Sequence, residues 1–159
     1  MMPESPFYQG LLGGAVFSVV LAVAGGLLTR LSTWYYALKK PWWKPPDWAF
    51  GPIWTVILAL VALSVAYTWE AADAQERKLI VTALAANGIL HVAWSGIFFA
   101  LKDVVLAFLE LLVFWLSIVA LIWVFGSISR TAAILLLPYL AWVSAAGLLN
   151  YQIMRLNPR

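Results

Sequence analysis

The chain has 159 residues, 64% hydrophobic and only 11% charged, and a mean hydropathy of +0.91. A soluble domain of this length cannot hide that much apolar surface. The formal charge is only +3, carried by basic residues in short loops, which excludes a nucleic-acid-binding face. The absence of cysteine removes disulfides, thiolate metal sites and a cysteine nucleophile. Crossing roughly 30 Å of hydrocarbon takes about 20 mostly apolar residues, and five runs meet that length. Residues 7–29 carry no charge; they lack a basic leader region and are too long for a signal-peptide core, so they read as a true span. Residues 48–69 and 131–154 are also free of charge, 79–101 hold only His91, and 104–129 hold only Glu110. The runs lack the two-residue alternation of a barrel, so the predicted fold is an all-α membrane protein, a five-helix bundle forming one domain over 1–159.

Pro52 and Pro138 fall within spans two and five, where each removes a backbone donor. Seven basic residues (Arg30, Lys39, Lys40, Lys44, Lys102, Arg155 and Arg159) flank one end of the spans, and three (Arg77, Lys78 and Arg130) flank the other. The excess places the C-terminus in the cytoplasm and the N-terminus outside. The third loop is little more than Lys102 and Asp103, so spans three and four form a hairpin.

The first loop, LSTWYYALKKPWWKPPD over 31–47, is too aromatic for a flexible linker. Pro41, Pro45 and Pro46 stiffen it. It reads either as an interfacial aromatic belt, with Lys39, Lys40 and Lys44 reaching headgroups, or as an ordered lid over a cavity among the helices.

In span three, Asn87, His91, Trp94, Ser95 and Phe98 recur at steps of three and four and share one helical face. Polar groups in hydrocarbon are costly, so this face points into the bundle, as interhelical hydrogen bonds or as a pocket wall. Glu110 lies about two turns past Lys102, too deep to snorkel, so it should be protonated, paired or facing a cavity, and a structural hydrogen bond is favoured over a proton relay. Gly10 with Gly14 and Thr82 with Ala86 are small-residue pairs that permit close helix packing. No phosphate loop, zinc-type pairing, Ser–His–acid triad or ladder of intramembrane charges is present.

Trp34-Tyr35, Leu38-x-Lys40-Pro41-x-Trp43-x-Pro45-Pro46 and Gly51-Pro52-Ile53-Trp54 together resemble the TspO/MBR family. So do Trp94-Ser95-Gly96-Ile97-Phe98-Phe99 and Pro138-Tyr139-Leu140-Ala141-Trp142 with Ala146 and Leu149-Asn150-Tyr151. The resemblance covers nearly the whole chain. It implies a pocket inside the bundle closed by the first loop, ligands such as protoporphyrin IX, haem and sterols, and a homodimer. It implies no obligatory cofactor. It turns the face of span three into a pocket wall, lets Trp54 and Trp142 line the pocket, and makes Tyr35 a lid contact. Tyr139, Trp142, Ala146 and Asn150 share a face of span five, where small Ala146 leaves room for a ligand. His91 departs from the family, which typically has Asn three residues before the Trp of its third helix; an imidazole there can hydrogen-bond or ligate haem iron. Leu149, Tyr151 and Arg155 fit a proposed sterol pattern.

The expected function is therefore a membrane binding protein, or receptor, for porphyrins and related hydrophobic ligands. One alternative is a light-dependent porphyrin-degrading enzyme using Trp54 and Trp142. A second is a tetrapyrrole or sterol transporter.

Overall fold

Three of the apolar runs follow a polar side chain, Asp73, Asp103 or Ser129, that takes over backbone groups which a helix start leaves unpaired. Asp73 accepts from the amides of Gln75 and Glu76 at 2.8 Å, while the Glu76 carboxylate accepts from the Asp73 amide at 2.8 Å. This reciprocal capping box starts a helix at Ala74, five residues before the hydropathy run begins, because a capped and solvated first turn needs no apolar residues. Asp103 accepts from the amides of Val105 and Leu106 at 3.1 and 2.9 Å and starts the next helix. Lys102, at φ 57°, supplies the left-handed step that lets two helices join through so short a turn.

The computed structural model describes residues 5–158. Residues 1–4 and Arg159, the last of the basic residues counted toward orientation, lie outside them. The helices are α1 (Pro6–Leu28), α2 (Thr33–Ala37), α3 (Asp47–Ala71), α4 (Ala74–Ser95), α5 (Val104–Ile128) and α6 (Arg130–Leu156), and α4 runs on through a π-helical turn, Gly96–Ala100. The protein is all-helical among the described residues. Five of its helical segments are long and apolar enough to cross a membrane, so it is an integral multi-pass membrane protein.

The long helices form a ring in the order α1, α3, α6, α5, α4, closed by the contact of α4 with α1. Lipid tails are as apolar as leucine, so tight packing and hydrogen bonds hold such helices together more than hydrophobic burial does. Ile57, Val61, Leu111, Phe114, Ile118, Leu121, Phe125, Leu136, Tyr139 and Val143 interlock in the ring's centre. Polar ties cross between helices. Ser18 donates to the Leu58 carbonyl and Ser64 to the Ala132 carbonyl, both at 2.8 Å, and Asn150 donates to the Val104 carbonyl at 2.9 Å. Each is worth roughly 0.6–2 kcal/mol. The outward faces present Val16, Val19, Val23, Ile89, Leu109 and Leu116, all exposed, as a lipid-facing surface would.

The seam between α1 and α3 is uneven. At one end the backbones nearly touch: a Cβ on Gly10 would lie 2.9 Å from the Ala66 Cα, and one on Gly14 would lie 2.8 Å from the Ala62 Cα. Toward the other end the helices part, and a Cβ on Gly26 or Gly51 would meet nothing within 4 Å. The small pair Gly10 and Gly14 is thus consumed inside one chain. Thr82 and Ala86 instead lie exposed on the outer face of α4.

Candidate functional site

Where α1 and α3 part, a cavity of about 390 Å³ enters the bundle, a volume within the roughly 300–1,000 Å³ of small-molecule sites. Leu21, Ala22, Gly25, Gly26 and Thr29 of α1 form one wall, and Asp47, Phe50, Gly51, Trp54, Thr55 and Leu58 of α3 form the second. His91, Trp94, Ser95 and the π-turn residue Phe99 supply the third, with Phe114 of α5 behind them. Leu31 and Tyr35 of the first loop close the end. Ala22, Gly26, Gly51 and Thr55 are exposed although they line the cavity, so its open side is the α1–α3 seam.

The loop is a strapped lid. α2 buries Tyr35 to 6% exposure beside Phe98, Val104, Ala107 and Ile153. The Tyr35 hydroxyl donates to Asp47 Oδ1 at 2.8 Å. Lys44 Nζ reaches the same oxygen at 2.8 Å, the one ion pair among the described residues. Lys40 Nζ donates to the carbonyls of Tyr35 and Leu38 and stands 4.4 Å from the Tyr35 ring centre. Burial and then the adjacent Asp47 carboxylate push the Tyr35 phenol well above its ordinary range. Burial first, and the Lys44 charge second, pull the Lys40 ammonium below its ordinary value, with Asp47 opposing them. Two straps tie the lid to the end of α6: Trp43 Nε1 donates to Gln152 Oε1 at 2.8 Å, and Asn157 pairs with the Lys39 backbone at 3.0 and 2.9 Å.

The two readings of this loop therefore divide by residue. Tyr35, Lys40 and Lys44 turn inward as lid and latch, while Trp42 is 95% exposed and suits the interfacial belt.

Of the residues that the sequence nominated, Tyr35, Trp54, His91, Trp94 and Ser95 line the cavity. Asn87 and Tyr139 stand behind that wall at 0% and 1% exposure, in hydrogen bond with His91 or with each other. His91 Nδ1 lies 3.2 Å from the Tyr139 hydroxyl, which lies 3.1 Å from Asn87 Oδ1. Trp142 also lies outside the lining; it meets the Trp54 ring edge-on at 6.5 Å and the Phe50 ring at 5.5 Å. Ala146 packs against the central core and leaves no space that the cavity uses. Phe98 is displaced by one residue from its expected place. A π turn carries more residues per turn than an α turn, so beyond Ser95 the cavity position passes to Phe99, while Phe98 stacks on Trp94 at 5.3 Å.

The sterol-type residues split between two faces. Leu149 packs under the lid. Tyr151 lies in an outer groove between α5 and α6, with Arg155 donating to its hydroxyl at 3.1 Å. Glu110 finds no hydrogen bond: both carboxyl oxygens are buried without a partner, so the bond that its depth called for is absent.

Sequence reasoning missed the α1 wall, Phe50 and Asp47. Leu21, Ala22, Gly25, Gly26 and Thr29 recur at helical spacing. Small residues carry no chemistry that would mark them as a wall, and only their clustering on one stripe could have done so.

Residues 14–156 match the model of the TspO/MBR family. The chain is 34% identical over 146 residues to the tryptophan-rich protein TspO of Chlorobaculum tepidum, covering 88% of this chain and 90% of that protein. It is 34% identical over 148 residues to the tryptophan-rich sensory protein of Cereibacter sphaeroides, covering 90% and 92%. It is 31% identical over 151 residues to the translocator protein of Bos taurus, covering 90% and 89%.

Proposed function

This chain belongs to the TspO/MBR family, and on that footing we propose that it is a membrane binding protein for flat, largely apolar ligands. Tetrapyrroles such as protoporphyrin IX and haem are the class that suits it best, with sterols second. The supporting observation is the cavity itself: a slot between α1, α3 and α4, walled by the rings of Phe50, Trp54, Trp94 and Phe99, and polar only at His91, Ser95, Thr29, Thr55 and the Asp47 latch. A rigid disc loses little conformational entropy on entering such a slot and gains from stacking on its indoles. The lid end also carries Arg30, Lys39 and Lys102, toward which carboxylates on the disc's rim can extend. Loading and unloading such a site is compatible with relatives named for sensing and for translocation. The homodimer that the resemblance implies would use the outer α4 face with Thr82 and Ala86, since Gly10 and Gly14 are already packed.

Titrating the purified protein with protoporphyrin IX in the dark, with tryptophan fluorescence as the readout, tests this reading. Trp54→Ala is expected to weaken binding about tenfold, the equivalent of roughly 1.4 kcal/mol of lost stacking and burial. Trp115→Phe, in the outer groove, is expected to leave it unchanged. Equal affinity for wild type and Trp54→Ala would place the ligand elsewhere. Repeating the titration under light, with product analysis, separates binding from photochemical breakdown, which would give more than one equivalent of product per protein.

A further inference from the structure

The hydrogen bonds around His91 have a direction, and it is set at their far end. The Ser117 hydroxyl lies 2.6 Å from the Phe114 carbonyl. A carbonyl can only accept, so the one hydroxyl proton is committed there, and Ser117 Oγ must accept from Asn87 Nδ2 at 2.8 Å. The amide is thereby turned so that its Oδ1 faces the Tyr139 hydroxyl at 3.1 Å, which must donate to it. With that proton used, the 3.2 Å contact between Tyr139 and His91 Nδ1 places the imidazole proton on Nδ1. The neutral ring then carries a bare lone pair on Nε2.

That lone pair has nowhere to go within the protein. Nε2 has no hydrogen-bond partner among the described residues. His91 is 8% exposed and lines the cavity. Gly25 keeps the space before Nε2 free of a side chain: a Cβ built there would lie 3.8 Å from it. The ring cannot easily swing away, because Trp54 and Phe114 hold it edge-on at 4.7 and 5.5 Å. No group of three His, Cys, Asp or Glu that could hold an ion exists among the described residues. A lone imidazole cannot trap a bare cation, but it can complete the shell of one already held by a chelator. A ligating histidine almost always has its other N–H engaged in a hydrogen bond that fixes tautomer and orientation, and Tyr139 engages His91 in that way.

We propose that His91 Nε2 is an axial electron-pair donor to a metal centre carried by a flat chelating ligand, so that this cavity selects the metallated form over the metal-free form. The proposal rests on the reading that the cavity takes tetrapyrroles. Haem and metal-free protoporphyrin IX are the probes, titrated separately in the dark into wild type, His91→Ala and His91→Asn. Wild type should bind haem at least about tenfold tighter than the metal-free ring and give the absorption and Raman signature of imidazole-ligated iron. Both variants should lose that signature, and free imidazole should restore it in His91→Ala. Binding of the metal-free ring should persist in the variants, which certifies their fold. A ligation signature that survives in either variant, or equal wild-type affinity for the two rings, would overturn the proposal while leaving the cavity's role intact. Failure of both rings to bind wild type would overturn the binding reading and the ligation with it.

Discussion

Tyr35 joins the lid to the bundle through two separable parts. Its ring packs against Phe98, Val104 and Ile153, and its hydroxyl donates to Asp47. Tyr35→Phe keeps the first and removes the second. A hydrogen bond to a charged acceptor is worth roughly 1.5–3 kcal/mol, so amides 33–44 should exchange at least about tenfold faster in the variant, with α5 and α6 unaffected. The same bond gives a pH dependence. The phenol's folded value is raised above its unfolded value of about 10. Its contribution is therefore whole below pH 10 and is lost as pH rises through the folded value. Bound ligand should escape faster on alkaline titration of wild type, and that added phase should be missing in Tyr35→Phe. An alkaline phase unchanged by the substitution would assign the latch to another group.

The helices themselves differ in how much they reveal. Hydropathy located five of them because only length and apolarity are needed to cross lipid, and the Trp, Tyr and Pro string marked the lid. The α4 start eluded hydropathy because a capping box, not apolar residues, supports its first turn. The π turn left no signature in 3.6-residue periodicity, and it moved the cavity position from Phe98 to Phe99. The polarity of the bonds around His91 was unreadable too, since it depends on Ser117 and Tyr139 arriving from other helices. The α1–α3 seam offers a direct check of packing at this scale. Gly10→Ala and Gly14→Ala force Cβ atoms into the Ala66 and Ala62 backbone and should cost about 1–3 kcal/mol each, read as a fall in Tm. Gly13→Ala and Gly26→Ala meet open space and should be neutral or stabilising by up to about 1 kcal/mol, because alanine favours the helix.

The whole molecule is polarised end to end. Arg30, Lys39, Lys40, Lys44, Lys102 and Arg155 gather at the lid end, against Arg77, Lys78 and Arg130 at the other. The excess predicts a cytoplasmic lid. The chain lacks cysteine, so single-cysteine labelling is clean. In right-side-out vesicles an impermeant maleimide should label Gln75→Cys and spare Ala37→Cys, both exposed positions; the reverse pattern would invert the orientation.

The parting of α1 from α3 has a thermodynamic consequence for any such measurement. The cavity's open side lies between two membrane-spanning helices, so the proposed binding reading predicts that the reservoir the site samples is lipid rather than water. A hydrophobic ligand first dissolves in that two-dimensional solvent and then finds the site by lateral diffusion. A dissociation constant expressed per litre of water therefore multiplies two equilibria, partition and binding. Expressed as a mole fraction in lipid, it should hold steady as the lipid-to-protein ratio is varied, while an apparent value counted as total ligand added per litre should rise with the lipid added.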